Sequence, residues 1–213
     1  MRLRLGKSRD IKPLLALYRS LEAELGKSFL LELGGRFVRE YLRVYLNERY
    51  SLFLCLENDE GRIVGTVFGT MDAAEHAAEL SRNKARLGLA ALPVLLRRPG
   101  LVRGLREREK SSSAESGEGY VVRKGCRIEF WGCAREVRGG GAAIQLLKKW
   151  LALASAMGAE EAWFEVDDEL DGVIRLHKAL GARGVRETLT PAGRKRQIMR
   201  YILTKPAPAA GQP

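Results

Sequence analysis

The stretch Ile128-Glu129-Phe130-Trp131-Gly132-Cys133-Ala134, followed by Arg135-Glu136-Val137-Arg138-Gly139-Gly140-Gly141-Ala142-Ala143 and a helix-like run from Ile144 to Met157, decides the fold. The first part has the length and composition of a strand and the last the look of a helix, with a glycine cluster between them. Glycine lets the backbone approach a ligand closely, and a helix N-terminus carries partial positive charge on N–H groups that have no intrahelical acceptor. Strand, glycine turn and helix in that order make a cradle for an anion such as a phosphate. No Lys-Ser/Thr pair follows the glycines, so this is not a Walker A loop. The residues spell Arg-x-x-Gly-x-Ala, with Arg138, Gly141 and Ala143 in the three fixed places.

Outward from this point the pattern alternates strands and helices. Arg2–Leu5 reads as a short strand, Ser8-Arg9-Asp10 as a helix entry, and Ile11, Leu14, Leu15, Leu17, Tyr18 and Leu21 as the apolar face of a first helix. Phe37, Val38, Tyr41, Leu42, Val44 and Tyr45 mark a second helix. Two strand-like runs, Ser51–Glu57 and Arg62–Thr70, flank the hairpin signal Asn58-Asp59-Glu60-Gly61. Past the glycine cluster come a short strand at Ala162–Val166, a further helix, and a last strand at Arg196–Thr204. The Pro206–Pro213 tail reads as disordered.

Between the third and fourth strands lies an insertion, Met71–Arg127. Ala73–Leu96 reads as a helix with Leu80, Leu87, Leu89, Leu92, Leu95 and Leu96 on one apolar side. Leu101–Lys110 resumes with Arg103, Arg106 and Arg108, and Ser111–Gly119 reads as a mobile loop. A lid over the site and a basic helix pair packed on the domain edge are both open readings of this segment.

Arg/Gln-x-x-Gly-x-Gly/Ala, opening a helix after a strand, resembles the pyrophosphate-binding loop of the GNAT superfamily of acyl-CoA-dependent N-acyltransferases. Ile174-Arg175-Leu176-His177-Lys178-Ala179-Leu180-Gly181-Ala182 resembles that superfamily's late helix and turn, usually written Ile-Arg-Leu-Tyr-x-x-Leu-Gly-Phe. The resemblance implies an α/β fold: a mixed, mostly antiparallel central sheet flanked by helices, splaying near Cys133, in a single domain over residues 1–205. It implies acetyl-CoA as cosubstrate, no metal, and acetyl transfer to a primary amine of a small molecule or peptide by direct attack on the thioester. For the cofactor it implies Cys133 or Ala134 offering backbone groups to the pantetheine arm, with Arg135 beside them. Arg138, Gly139, Gly140, Gly141, Ala142 and Ala143 are then expected at the pyrophosphate.

For the chemistry, Glu129 is a carboxylate on a mostly apolar strand, where burial favours a base acting through water. By the two-residue period Arg127, Glu129, Trp131 and Cys133 share one face and Ile128, Phe130 and Gly132 the other. A structural pairing of Glu129 with Arg127, Arg135 or a strand neighbour is the competing reading. His177 stands where the resemblance expects the tyrosine that protonates the thiolate, and an ordinary histidine keeps an appreciable charged fraction at neutral pH. The asparagine often found upstream is missing near Leu170-Asp171, and Ala182 replaces the phenylalanine.

A chain of 213 residues with 46% apolar composition can fill one core. Cys55, Cys126 and Cys133 have neither zinc-ligand nor disulfide-framework spacing, which suits a reducing compartment. The N-terminus turns charged before any signal-like apolar stretch, and Leu87–Leu96 is far short of the roughly twenty residues that span a bilayer. The expectation is a cytoplasmic protein, with peripheral membrane contact and a homodimer left open. The formal charge of +11 suits an anionic ligand. No zinc-finger, RRM or KH signature accompanies it, so no specific nucleic acid is expected. A catalytically silent coenzyme A module and, more remotely, a basic nucleic-acid-binding protein are the alternatives.

Overall fold

Ser51–Glu57 (β2) and Ile63–Thr70 (β3) are apolar almost throughout, a composition that suits strands covered on both faces. They pair antiparallel, and their turn closes through Asn58, whose side chain accepts the Arg62 N–H at 2.9 Å. In the computed structural model, residues 1–25, 29–102, 104, 105, 122, 125–139, 141–190 and 193–203 are described. Gly140, the serine-rich stretch 111–119, Arg103, Arg106, Arg108 and the tail from residue 204 lie outside them.

The hairpin is the middle of a seven-stranded sheet. With Arg2–Leu5 (β1), Cys126–Cys133 (β4), Glu161–Asp167 (β5), Arg183–Leu189 (β6) and Lys195–Ile202 (β7), the order is β1-β2-β3-β4-β5-β7-β6. All neighbours are antiparallel except β4 and β5. One face carries Ile11–Leu25 (α1), the short Phe29–Glu32 (α2), Gly35–Asn47 (α3), Ala73–Arg82 (α4) and Lys84–Arg97 (α5). The other carries Ala142–Ala156 (α6) and Asp171–Ala179 (α7). Each helix docks by the face its sequence marks out. In α3 that face is Phe37, Val38, Tyr41, Leu42, Val44 and Tyr45; in α6 it is Leu146, Leu147, Trp150 and Ala154. The entry to α1 is fixed by Asp10, which accepts the Lys7 N–H and a bidentate bond from Arg4.

Four features differ from expectation, the last of them in β4. The helix expected over Ala73–Leu96 is two, because the Asn83 side chain donates to the Glu79 carbonyl at 3.0 Å and ends α4. The six leucines do not share a side: Leu80, Leu87 and Leu95 pack inward, while Leu89, Leu92 and Leu96 are exposed. A strand unmarked in the sequence, β6, runs along the sheet edge, where exposure on both faces leaves no apolar run to betray it.

The fourth strand departs from simple alternation. Phe68 pairs with Phe130 but Gly69 pairs with Ile128, so Glu129 is an extra residue, a bulge. Beyond it the faces reverse. Arg127, Glu129, Phe130 and Gly132 face the α1–α3 side, and Ile128, Trp131 and Cys133 face α6. This corrects the expected grouping of Arg127 and Glu129 with Trp131 and Cys133. The bulge depends on Gly69: a Cβ there would stand 2.0 Å from the Arg127 carbonyl oxygen. Gly69→Ala is therefore expected to destabilise the fold by about 3 kcal/mol, the upper end for overpacking because the obstacle is backbone. An unchanged midpoint in chemical denaturation would show that the bulge can move aside.

Candidate active site

β4 and β5 run parallel but meet at only two rungs, Cys126↔Ala162 and Arg127↔Trp163. They part after Arg127, earlier than the splay expected near Cys133. The Ala134 N–H bonds the Val64 carbonyl at 2.8 Å, and Gly132 lies opposite Thr66. In an antiparallel ladder the residues between such pairs point their N–H and C=O the other way. Trp131 and Cys133 thus turn their backbone groups into the gap that β5 has left. Of the two residues expected to serve the pantetheine arm, Cys133 presents its N–H there, and Ala134 has committed its own to β3.

At the mouth of this fork the chain makes a short turn, Arg135–Val137, and then the glycine loop. Arg138 folds back, its Nε donating to the Cys133 carbonyl at 2.9 Å. Gly139 and Gly141 both adopt left-handed φ, +81 and +77, which side-chain-bearing residues rarely take. A Cβ at Gly141 would meet nothing within 4 Å, so the space above the loop is open. Gly141 caps α6 with no side-chain bond to the first-turn N–H groups, and no acidic residue lies in that turn. Trp131 Nε1 donates to the Ala143 carbonyl at 3.2 Å and ties the start of α6 to β4. Open space, first-turn N–H groups and two flanking arginines, Arg135 and Arg138, fit a pyrophosphate. Among the described residues no group of three or more His, Cys, Asp or Glu side chains could hold a metal.

Glu129 sits on the α1–α3 side of the fork. Tyr41 donates to its Oε1 at 2.8 Å, and Arg127 lies 2.7 Å from its Oε2. The same guanidinium reaches Glu165 on β5 at 3.2 Å. Burial works against the Arg127 charge, but the two carboxylates outweigh it and hold its pKa above the ordinary arginine value. Glu129 therefore meets a cation and a phenol: the pairing with Arg127 that the sequence offered as the competing reading is present, and the apolar surroundings are not.

His177 lies on the other side of the sheet. It is buried among Trp131, Phe164 and Tyr201, with Nδ1 2.7 Å from the Tyr201 hydroxyl. Burial pushes its pKa down to about 4. The ring is neutral at pH 7, and the charged fraction expected of an ordinary histidine is absent. The two candidate catalytic residues thus flank the fork from opposite faces, each with its own partners.

No family model and no curated protein matches the sequence. Solved structures do. A GNAT-family acetyltransferase from Streptococcus pneumoniae superposes with a TM-score of 0.60 at 14% identity, over 95% of this chain and 99% of that one. The chain has the GNAT fold. A spermidine N-acetyltransferase from Vibrio cholerae gives 0.59 at 11% identity over 96% of each chain. A ribosomal-protein-alanine N-acetyltransferase from Brucella melitensis gives 0.58 at 14%, over 95% of this chain and all of that one.

Within this GNAT fold, Tyr41, Glu165 and Tyr201 surround the candidate residues, and sequence reasoning passed over all three. Tyr41 lies on the helical stripe that packs the core, so it read as filler. Glu165 had a weak signal, a carboxylate on the non-apolar phase of the alternating β5. The low His177 pKa carries a testable sign. Unfolded, the ring titrates near 6.5; folded, near 4, so the unfolded chain binds the proton first. Stability is full above the upper value and falls as pH drops toward the lower, by about 3 kcal/mol. His177→Gln should flatten that part of a stability–pH curve measured by urea denaturation. Parallel curves for the two proteins would place the acid sensitivity elsewhere.

Proposed function

We propose that this protein is an acyl-CoA-dependent N-acetyltransferase acting on a primary amine. The observation that carries the reading is the fork itself: β4 turns backbone groups into the gap beside β5, and the chain, open at Gly139 and Gly141, leads into α6 at its mouth. The named neighbours, which include a spermidine and a ribosomal-protein-alanine N-acetyltransferase, are consistent with an amine acceptor.

Acetyl-CoA would supply the acyl group as a thioester. Arg138, Gly139, Gly141, Ala142 and Ala143, with Gly140 between them in sequence, would hold its pyrophosphate, and Cys133 its pantetheine arm. Arg135 would add positive charge nearby. Burial pushes the Cys133 thiol up to about 11, so it is protonated at neutral pH and a poor nucleophile, which favours direct attack by the amine. On the α1–α3 side, Glu129 is the group to attract an ammonium and accept its proton, directly or through water. Arg127 and Tyr41 fix the position of that carboxylate. On the other face, burial raises the Tyr201 pKa and keeps its hydroxyl protonated. A Tyr201 O–H donated to His177 Nδ1 would put the imidazole proton on Nε2, from which it can stabilise a departing thiolate by a hydrogen bond. The neutral state of His177 also favours a second reading, a silent coenzyme A-binding module.

Two variants of the loop test the cofactor site. Asn and Asp both tolerate left-handed backbone better than other side chains, so Gly141→Asn and Gly141→Asp impose similar strain but differ in charge. The aspartate variant is expected to bind acetyl-CoA at least about tenfold more weakly than the asparagine variant by calorimetry. Equal affinities would remove the cradle.

Thioester consumption over a panel of amines separates enzyme from silent module. Glu129→Gln keeps the shape but takes one charge from Arg127, so it is compared where circular dichroism shows it folded; there it is expected to lower turnover on the order of a hundredfold with acetyl-CoA affinity unchanged. Wild-type turnover in that variant would leave Glu129 a structural role only.

A further inference from the structure

The outward face of α5 carries an exposed leucine stripe with basic residues beside it. Leu89, Leu92 and Leu96 are 71%, 45% and 75% exposed, and their i, i+3, i+7 spacing makes one stripe. Leu87, Ala91 and Leu95, on the opposite side, pack with the α1–α3 cluster. The helix is thus apolar on two faces, of which the described residues cover one. From Ser81 to Val102 the chain holds Arg82, Lys84, Arg86, Arg97 and Arg98 and no acidic residue, and of these Arg82 is paired with Glu79 at 2.9 Å. At helical spacing Arg86 and Arg97 border the leucine stripe, and an ion pair from Arg86 to Glu40 at 2.8 Å fastens α5 to α3.

We propose that this face of α5 docks the protein onto an anionic lipid surface. A bilayer takes both halves of the pattern at once: leucines enter the acyl boundary while guanidinium groups stay among the phosphates, as in a helix lying in the interface plane. A nucleic acid would satisfy the arginines and leave the leucines in water. The fourteen residues of α5 span about 21 Å, long enough to lie along a surface and too short to cross one. Because α5 packs on α3, which carries Tyr41, docking would bring the Glu129 side of the fork near the lipid.

The test is co-sedimentation of the full chain with vesicles of phosphatidylcholine alone or mixed with phosphatidylglycerol. Binding to the mixed vesicles, weaker binding to phosphatidylcholine alone and release by salt are expected. The double variant Leu89→Ser, Leu96→Ser should lower partitioning by about tenfold or more with its thermal midpoint kept. Arg97→Gln with Arg98→Gln should weaken binding and reduce its salt dependence. Failure of the wild type to bind the mixed vesicles overturns the proposal, as does undiminished binding by the double serine variant. Should sedimentation velocity instead show a wild-type dimer that the serine variant disperses, with no vesicle binding, the face joins two copies and the lipid assignment falls.

Discussion

Arg127 is the clasp at which the sheet divides. Its guanidinium holds Glu129 of its own strand and Glu165 of the next, at the last rung where β4 and β5 still pair. Three charges there have little access to water, an arrangement that is costly unless each has a partner. Removing one member would strand the others, at about 3–5 kcal/mol by analogy with buried ion pairs. Glu165 is further engaged by the Val122 N–H at 2.7 Å, so the clasp also reaches the chain that leads into β4. One rung beyond, the strands diverge and their backbone groups become available to something other than each other.

The bulge at Glu129 makes the clasp and the fork compatible. Without the extra residue, strict alternation would send Glu129 and Trp131 to the same face. With it, the carboxylate goes to Tyr41 on α3, and Trp131 goes to the opposite face, where its indole bonds the first turn of α6. A single inserted residue thus separates a polar, charge-bearing side from a side that shapes the glycine loop. Gly69 is the condition for this, since the bulged strand lies too close for any side chain at that point.

The legible part of the sequence was that in which one residue type does one thing. The strand–glycine–helix passage, the six-residue face of α3 and the β2–β3 turn carry local signals that tertiary structure leaves intact. Three kinds of feature were not legible. An edge strand such as β6 buries too little for its alternation to stand out. A helix such as α5, apolar on two sides, looks on paper like a helix with one broad apolar side. A bulge leaves no trace in one strand alone, because it is a property of register between two; the small residue that permits it, Gly69, sits on the partner. For the site, Glu129, His177 and the pairing of Glu129 with Arg127 could be named, but Glu165, Tyr41 and Tyr201 join them only through the sheet.

The pair His177 and Tyr201 shows how environment can matter more than residue type. A histidine in water is chosen for titrating near neutrality. Here desolvation lowers the imidazole's affinity for a proton and raises the pKa of the phenol, so both groups are neutral across the physiological range and neither tends to ionise the other. The resemblance expects a phenol at position 177; in this chain a phenol arrives next to that position from β7, 2.7 Å from the imidazole that replaced it. Two neutral donor–acceptor groups in series can orient one hydrogen bond without changing net charge, which suits a setting between the aromatic rings of Trp131 and Phe164, where an uncompensated charge would be expensive.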